Sequence, residues 1–180
     1  MGRFVGFKGI EYLLRAAQSY GGPDVQTLLC GDGELRTAME QLSDKLQLER
    51  VAFLGHVDHF RDLPDLYNLA DVLVVPSKGE PFGLVAIEAM GCGTPVVGSR
   101  SGALPYIIEA AGSVDDLGSG VEETPLGLIV PFGNPEQIAR GIKIALGGGF
   151  DPLRMSKQVC DLFSVHTQSA RYAALYRDLQ

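Results

Sequence analysis

No apolar run in this chain reaches the ~18 residues needed to cross a bilayer, which excludes a helical membrane span. Positive charge is also in short supply. With 15 Lys and Arg against 22 Asp and Glu, the formal net charge is −7. Nucleic acid and anionic membrane are therefore disfavoured as main partners, although an acidic protein can still hold a small basic pocket. Cysteine is sparse. Cys30, Cys92 and Cys160 are far apart and odd in number, which points to reduced thiols rather than a disulfide framework. No metal-ligand spacing occurs, nor any internal repeat or low-complexity segment. The opening residues, MGRFVGFKG, lack the apolar core segment and cleavage site of a secretory leader. Together these absences predict a cytoplasmic location.

What is present fits one globular domain. The chain has 180 residues, 46% of them hydrophobic, enough for a full core. Continuous apolar runs at Val25–Cys30, Val51–Gly55, Asp71–Ser77, Thr94–Ser99 and Gly127–Phe132 read as strands covered on both faces. Between them, helical spacing predicts helices over Ile10–Tyr20, Glu34–Leu46, Leu63–Ala70, Phe82–Met90 and Asn134–Leu146. The tail from Met155 to Leu179 also reads as helical, with a break near Val165–Thr167. The polar, glycine-rich stretch Ala110–Pro125 reads as a surface loop. Alternating strands and helices predict an α/β fold with a doubly wound parallel sheet. The start at MGRF, where a full first strand is expected, and the long final helix suggest a piece of a larger protein.

One helix carries the functional argument. Leu84, Val85, Ala86, Ile87, Ala89 and Met90 cover every face of the Phe82–Met90 segment, so it reads as buried, yet Glu88 stands among them. Glu80 lies just before it. In open parallel sheets, ligands bind where strands end and helices begin. Gly83 removes a side chain there, leaving the amides of Gly83 and Leu84 at a helix N-terminus, a natural anion site. Buried carboxylates need partners, and vicinal hydroxyls of a sugar or ribose suit a group that accepts two hydrogen bonds. Phosphate at the amides with hydroxyls at two carboxylates describes a nucleotide sugar. The plainer reading has Glu80 capping the helix and Glu88 paired with a surface lysine. Arg3 and Lys8, in the glycine-flanked loop GRFVGFKG, place two cations where they can face the same phosphates; a solvated basic loop is the alternative. CGDGEL gives Gly31 and Gly33 in a tight turn near the ligand. It lacks the third glycine of a dinucleotide fingerprint, because Arg36 stands there.

These blocks, with VAFLGHV, ADVLVVPS, GEPFGLVAIEAMGCGTPVVGS and GLIVPFGNPEQIA in that order, resemble the C-terminal, donor-binding domain of a retaining GT-B glycosyltransferase of the group 1, family 4 kind. The resemblance covers nearly the whole chain, and its most specific element is the Glu–seven residues–Glu motif followed by Ala-Met. It implies a single domain over residues 1–180, one Rossmann-like half of a two-domain enzyme whose acceptor-binding half is absent here. It implies roles as well. Arg3 and Lys8 would neutralise the donor diphosphate, and Glu80 would touch the donor sugar, which makes these three the expected catalytic set. Gly83 and Leu84 would hold the distal phosphate and Glu88 the ribose; His56 and Val57 would lie by the base, and Gly31 and Phe82 complete the substrate-binding set. The reaction implied is sugar transfer from a nucleoside diphosphate to an acceptor hydroxyl with retained configuration, in glycan, glycolipid or polysaccharide synthesis. Neither cofactor nor metal is required, and any membrane association would come through the absent domain. SGALPYII departs from the family pattern, with Ala103 at a usual glycine and Tyr106 at a usual glutamate. A nucleotide-sugar epimerase of the same architecture and a non-catalytic nucleotide-binding module remain as alternatives. For the isolated chain, the expectation is binding without turnover.

Overall fold

The computed structural model describes all residues except Gly21, Pro23, Ser113, Leu179 and Gln180. Helices and strands alternate: α1 (Ile10–Tyr20), β1 (Thr27–Cys30), α2 (Arg36–Lys45), β2 (Val51–Gly55), α3 (Leu63–Leu69), β3 (Leu73–Val75), α4 (Leu84–Gly91) and β4 (Val96–Ser99). Then come α5 (Leu104–Ile108), β5 (Asp115–Asp116), β6 (Glu122–Thr124), β7 (Gly127–Val130), α6 (Pro135–Leu146), α7 (Pro152–Phe163) and α8 (Val165–Asp178). The predicted α/β architecture holds. β1 pairs with β2, β3 with β4 and β4 with β7, all parallel.

The sheet is covered on both faces because neighbouring residues of its strands face opposite ways. Val97, Leu128 and Val130 join one core with Leu13, Leu14 and Ala17 of α1 and Ile138 and Ile142 of α6. Val96 and Ile129 join a second core with Tyr67 of α3, Met90 of α4, Ile108 of α5 and Met155 of α7. This explains why the strands read as continuous apolar runs.

Three parts differ from the sequence expectation. The stretch Ala110–Pro125 is not only loop: β5 and β6 form an antiparallel hairpin that joins β7 at the sheet edge. A short helix, α5, follows β4. The sheet itself is in two parts, β1–β2 and β3–β4–β7–β6–β5. The tail breaks at Ser164, where the Ser164 hydroxyl accepts from the Thr167 amide at 3.2 Å. Of the helix expected to reach Leu179, that last residue lies outside the described set.

The caps follow from sequence. The Asn134 side chain accepts from the Gln137 amide at 3.2 Å, and Pro135 occupies the first turn of α6, where its missing N–H costs nothing. Asp151 accepts from the amides of Leu153 and Arg154, both at 3.1 Å, at the start of α7. α7 then lies against α4. The Ser156 hydroxyl donates to the Gly91 carbonyl at 2.6 Å, and Met155 and Val159 are buried in the shared core. Among the described residues, no helix is long and apolar enough to cross a membrane.

Candidate functional site

The C-terminal ends of β1, β3 and β4 and the loop Gly2–Gly9 meet at one edge of the fold. Gly31, just after β1, has a φ of +123°, and a Cβ there would lie 1.9 Å from the Gly2 carbonyl oxygen. Only glycine lets these two backbones approach so closely. The amide of Gly2 donates to the Cys30 carbonyl at 2.9 Å, and the amide of Phe4 to the Asp32 carbonyl at 2.8 Å. The first loop is thereby fixed on the β1 end, and a 3-10 turn at Gly6–Lys8 closes it. Beside it, the Lys78 amide donates to the Phe7 carbonyl at 2.6 Å, binding this loop to the one after β3.

Those two loops carry a buried ion pair. Lys8 Nζ lies 2.7 Å from Glu80 Oε2, with the Lys8 side chain 19% and the Glu80 side chain 9% exposed. Glu80 is fixed from behind as well: its backbone bridges to Gly102, and its carbonyl accepts from the Ala103 amide at 2.8 Å. So Glu80 is not a helix cap. Arg3 is exposed, and with Lys8 it borders a small cavity that reaches Pro76 and Ser77. The Ser77 hydroxyl is buried there with no hydrogen-bond partner among the described residues, while the Ser77 carbonyl accepts from the Ser99 hydroxyl.

α4 begins two residues later than the sequence suggested. Gly83 has a φ of +65°, a left-handed conformation that cannot be helical, so Phe82 lies outside the helix and is exposed. A Cβ on Gly83 would also lie 2.6 Å from Ile107 Cδ1. The amides of Gly83, Leu84 and Val85 have no acceptor among the described residues, and no side chain caps them. They give the helix end a partial positive charge.

α4 is not buried all round. Leu84 is 61% exposed, and the Glu88 side chain, one turn on along the same face, is 31% exposed. Glu88 is paired with no lysine. Its Oε2 accepts from the Tyr67 hydroxyl at 2.9 Å, and its Oε1 lies 3.8 Å from His59 Nε2. Burial, followed by the Glu88 charge and hydrogen bond, pushes the Tyr67 hydroxyl well above the ordinary tyrosine range. Burial and then Glu88 raise the Cys92 thiol. Tyr67 and His59 were not singled out from sequence. Tyr67 sits in the apolar spacing of α3, where it reads as core, and His59 follows a loop with no pattern.

His56 is exposed and Val57 half-buried after β2. Neither makes a side-chain hydrogen bond to the groups above. Among the described residues, no three His, Cys, Asp or Glu side chains converge as a metal site requires. The arrangement is an edge with two cations, one of them held by a carboxylate, a helix end with bare amides, and a second carboxylate whose Oε1, 3.8 Å from His59, accepts no hydrogen bond among the described residues.

Residues 1–159 match the family described as glycosyl transferases group 1. An uncharacterized glycosyltransferase of Methanocaldococcus jannaschii is 44% identical over 111 residues, 61% of this chain and 28% of that protein. Sucrose-phosphate synthase from Thermosynechococcus elongatus superimposes with a TM-score of 0.75 at 34% identity, covering 99% of this chain and 45% of that one. Anabaena HepE in complex with UDP superimposes with a TM-score of 0.77 at 25% identity, covering 98% and 48%. The same protein with UDP-glucose gives 0.60 at 26% identity, covering 91% and 48%. The chain thus spans less than half of these structures and about a quarter of that curated relative.

Proposed function

Because this chain belongs to the glycosyl transferases of group 1, with the fold of one Rossmann-like half of a GT-B enzyme, we propose that it is the donor-binding domain of a retaining glycosyltransferase. Its ligand is a nucleoside diphosphate sugar. The second, acceptor-binding domain completes the active site, and the 180 residues alone bind donor without turning it over. The observation that carries this reading is the meeting of Lys8, Glu80 and the open end of α4 at the C-terminal edge of β3. The complexes of Anabaena HepE with UDP and UDP-glucose support the ligand class.

In this reading, charge builds on the departing diphosphate. Arg3, Lys8 and the amides of Gly83 and Leu84 stabilise it by electrostatics arranged in advance, and no metal is needed. To reach phosphate, Lys8 leaves Glu80, and Glu80 is then free to accept hydrogen bonds from the sugar hydroxyls. The ion pair therefore stores both groups until donor separates them. Glu88, with Oε1 open, takes a ribose hydroxyl while Tyr67 holds its other oxygen. Gly31, His56, Val57 and Phe82 border the nucleotide. Glu80 is a binding group here and not a nucleophile.

The test is calorimetric binding of UDP, GDP and ADP and of their sugars to the wild type, Glu80→Gln and Glu88→Gln. Glu88→Gln should weaken nucleotide and nucleotide sugar alike. Glu80→Gln should leave the nucleoside diphosphate at least as tight as before, since Lys8 no longer has to leave a carboxylate, and weaken only the intact donor. If Glu88→Gln lowers the melting temperature of the empty protein without changing nucleotide affinity, Glu88 is structural and the reading fails. Turnover by the isolated chain would overturn the need for a second domain.

A further inference from the structure

Glu88 owes its orientation to α3. Its Oε2 accepts from the Tyr67 hydroxyl at 2.9 Å, and Tyr67 is only 3% exposed, packed in the core with Leu63 and Met90. Tyr67 is fixed at its backbone too. The buried Thr94 hydroxyl donates to the Tyr67 carbonyl at 2.6 Å, and the Thr94 amide donates to the Ala89 carbonyl at 2.9 Å. The turn after α4 therefore holds Tyr67 on one side and the residue next to Glu88 on the other. Burial, and then the Glu88 charge, raise the Tyr67 hydroxyl far above its ordinary range, so its proton stays in place at neutral pH.

A buried phenol needs a partner, and a neutral carbonyl would serve. A carboxylate is a costly choice for that task alone, because part of its charge is buried with it. Nothing neutralises that charge. Three titratable groups face it: Tyr67 from α3, Cys92 from the end of α4, whose thiol burial and Glu88 raise, and His59 from the loop after β2. His59 stands 3.8 Å from Oε1, outside hydrogen-bond reach. The carboxylate is thus kept charged and kept from turning, with Oε2 taken on the core side. Glu88 also lies about 6 Å along the helix axis from Leu84 at the bare head of α4, and a nucleotide spans a comparable distance between ribose hydroxyls and phosphate.

We propose that Tyr67 is a positioning residue that turns Glu88 Oε1 to the ribose and so makes the site select ribonucleotides over nucleotides without ribose hydroxyls. The proposal rests on the reading of Glu88 as the ribose group and goes beyond it, since the selectivity then belongs to the pair. A carboxylate fixed in advance loses little freedom when the hydroxyl arrives. Without the phenol, Glu88 keeps its charge and place, but it rotates and water takes Oε2. Only a ligand with ribose hydroxyls feels that loss.

The experiment is calorimetric titration of the 180-residue chain with UDP, GDP or ADP, whichever binds most tightly, and with its 2′,3′-dideoxy form. The wild type should bind the ribonucleotide ~10-fold or more tighter than the dideoxy form. Glu88→Gln should close most of that gap. Tyr67→Phe should narrow it ~3-fold or more, by weakening the ribonucleotide while the dideoxy form stays within about 2-fold. A Tyr67 that serves only the core would weaken both ligands together or neither, and either result overturns the proposal. If Tyr67→Phe does not fold, Thr94→Val takes its place, because it frees the Tyr67 carbonyl and leaves the phenol. It should narrow the gap in the same sense, and an unchanged gap overturns the proposal. A gap that Glu88→Gln closes and Tyr67→Phe leaves intact sinks the proposal alone. A chain that binds none of the three nucleotides, or whose gap survives Glu88→Gln, loses the ribose reading of Glu88 and the proposal with it.

Discussion

Replacing Lys8 by Met removes a charge from a nearly buried pair and strands its partner. Nζ and Oε2 are 2.7 Å apart, so at an effective dielectric of 20 their gross attraction is about 6 kcal/mol. Desolvation of two ions, several kcal/mol each, offsets most of this. The net worth of the pair is therefore small, while the cost of leaving one member alone is large. Glu80, the more buried member, suffers more. Lys8→Met should cost about 3 kcal/mol. Glu80→Gln should cost about 1–2 kcal/mol, because the long Lys8 side chain can turn its charge to solvent. The double variant should cost less than the two added together, with a coupling of about 2 kcal/mol. Urea denaturation of the four proteins at neutral pH measures it, and burial should keep the coupling largely independent of salt. A coupling under about 0.5 kcal/mol would show that the pair does not exist in solution, and the storage role given to it above would fall with it.

Gly31→Ala should destabilise by about 3 kcal/mol, since its Cβ meets the Gly2 carbonyl. Gly6→Ala, with nothing within 4 Å, should stay within about 0.5 kcal/mol in the same denaturation assay. Tyr67 and Tyr20 are both raised, burial being the main cause. The folded protein therefore holds these protons more tightly than the unfolded chain. Stability should be complete below pH ~10 and fall above it by up to ~1.4 kcal/mol per pH unit for each. Tyr67→Phe and Tyr20→Phe should each reduce that alkaline slope in melts followed by circular dichroism. Asp151→Ala removes the double cap of α7 and should cost about 1 kcal/mol, read as a lower urea midpoint.

The strands β1, β2, β3, β4 and β7 were legible as continuous apolar runs, which in β4 and β7 follow from burial on both faces. β5 and β6 were not, because Asp115–Asp116 and Glu122–Thr124 are short and polar, and edge position and pairing with β7 make them strands. α4 was legible as an element but misplaced at its start, since Gly83 takes a left-handed conformation that no periodicity announces. Its burial was overstated for a related reason: Leu84 is apolar yet faces outward. Arg3, Lys8, Glu80 and Glu88 stand out by residue type near strand ends. That Lys8 closes on Glu80, and Tyr67 on Glu88, depends on contacts across 72 and 21 residues, which spacing cannot supply. The division of the sheet was equally hidden, because it concerns a side of β1 and β3 rather than their composition.

The packing of α7 on α4 has a mechanical consequence. A helix of eight residues is a rod about 12 Å long, too short to bend. Its tail end is clamped by Ser156, and the neighbouring Gly93 fits against Pro152. Its head end carries the amides of Gly83 and Leu84. A tilt imposed at the tail must therefore reappear at the head, with Ile107 and Leu104 as the pivot. α8 follows α7 across the break at Ser164, which a 2.9 Å hydrogen bond between the Ser164 and Thr167 hydroxyls braces, and exposes Val165, Tyr172, Leu175 and Tyr176. Whatever grips those side chains holds a handle, and through α7 that handle steers the far end of the rod.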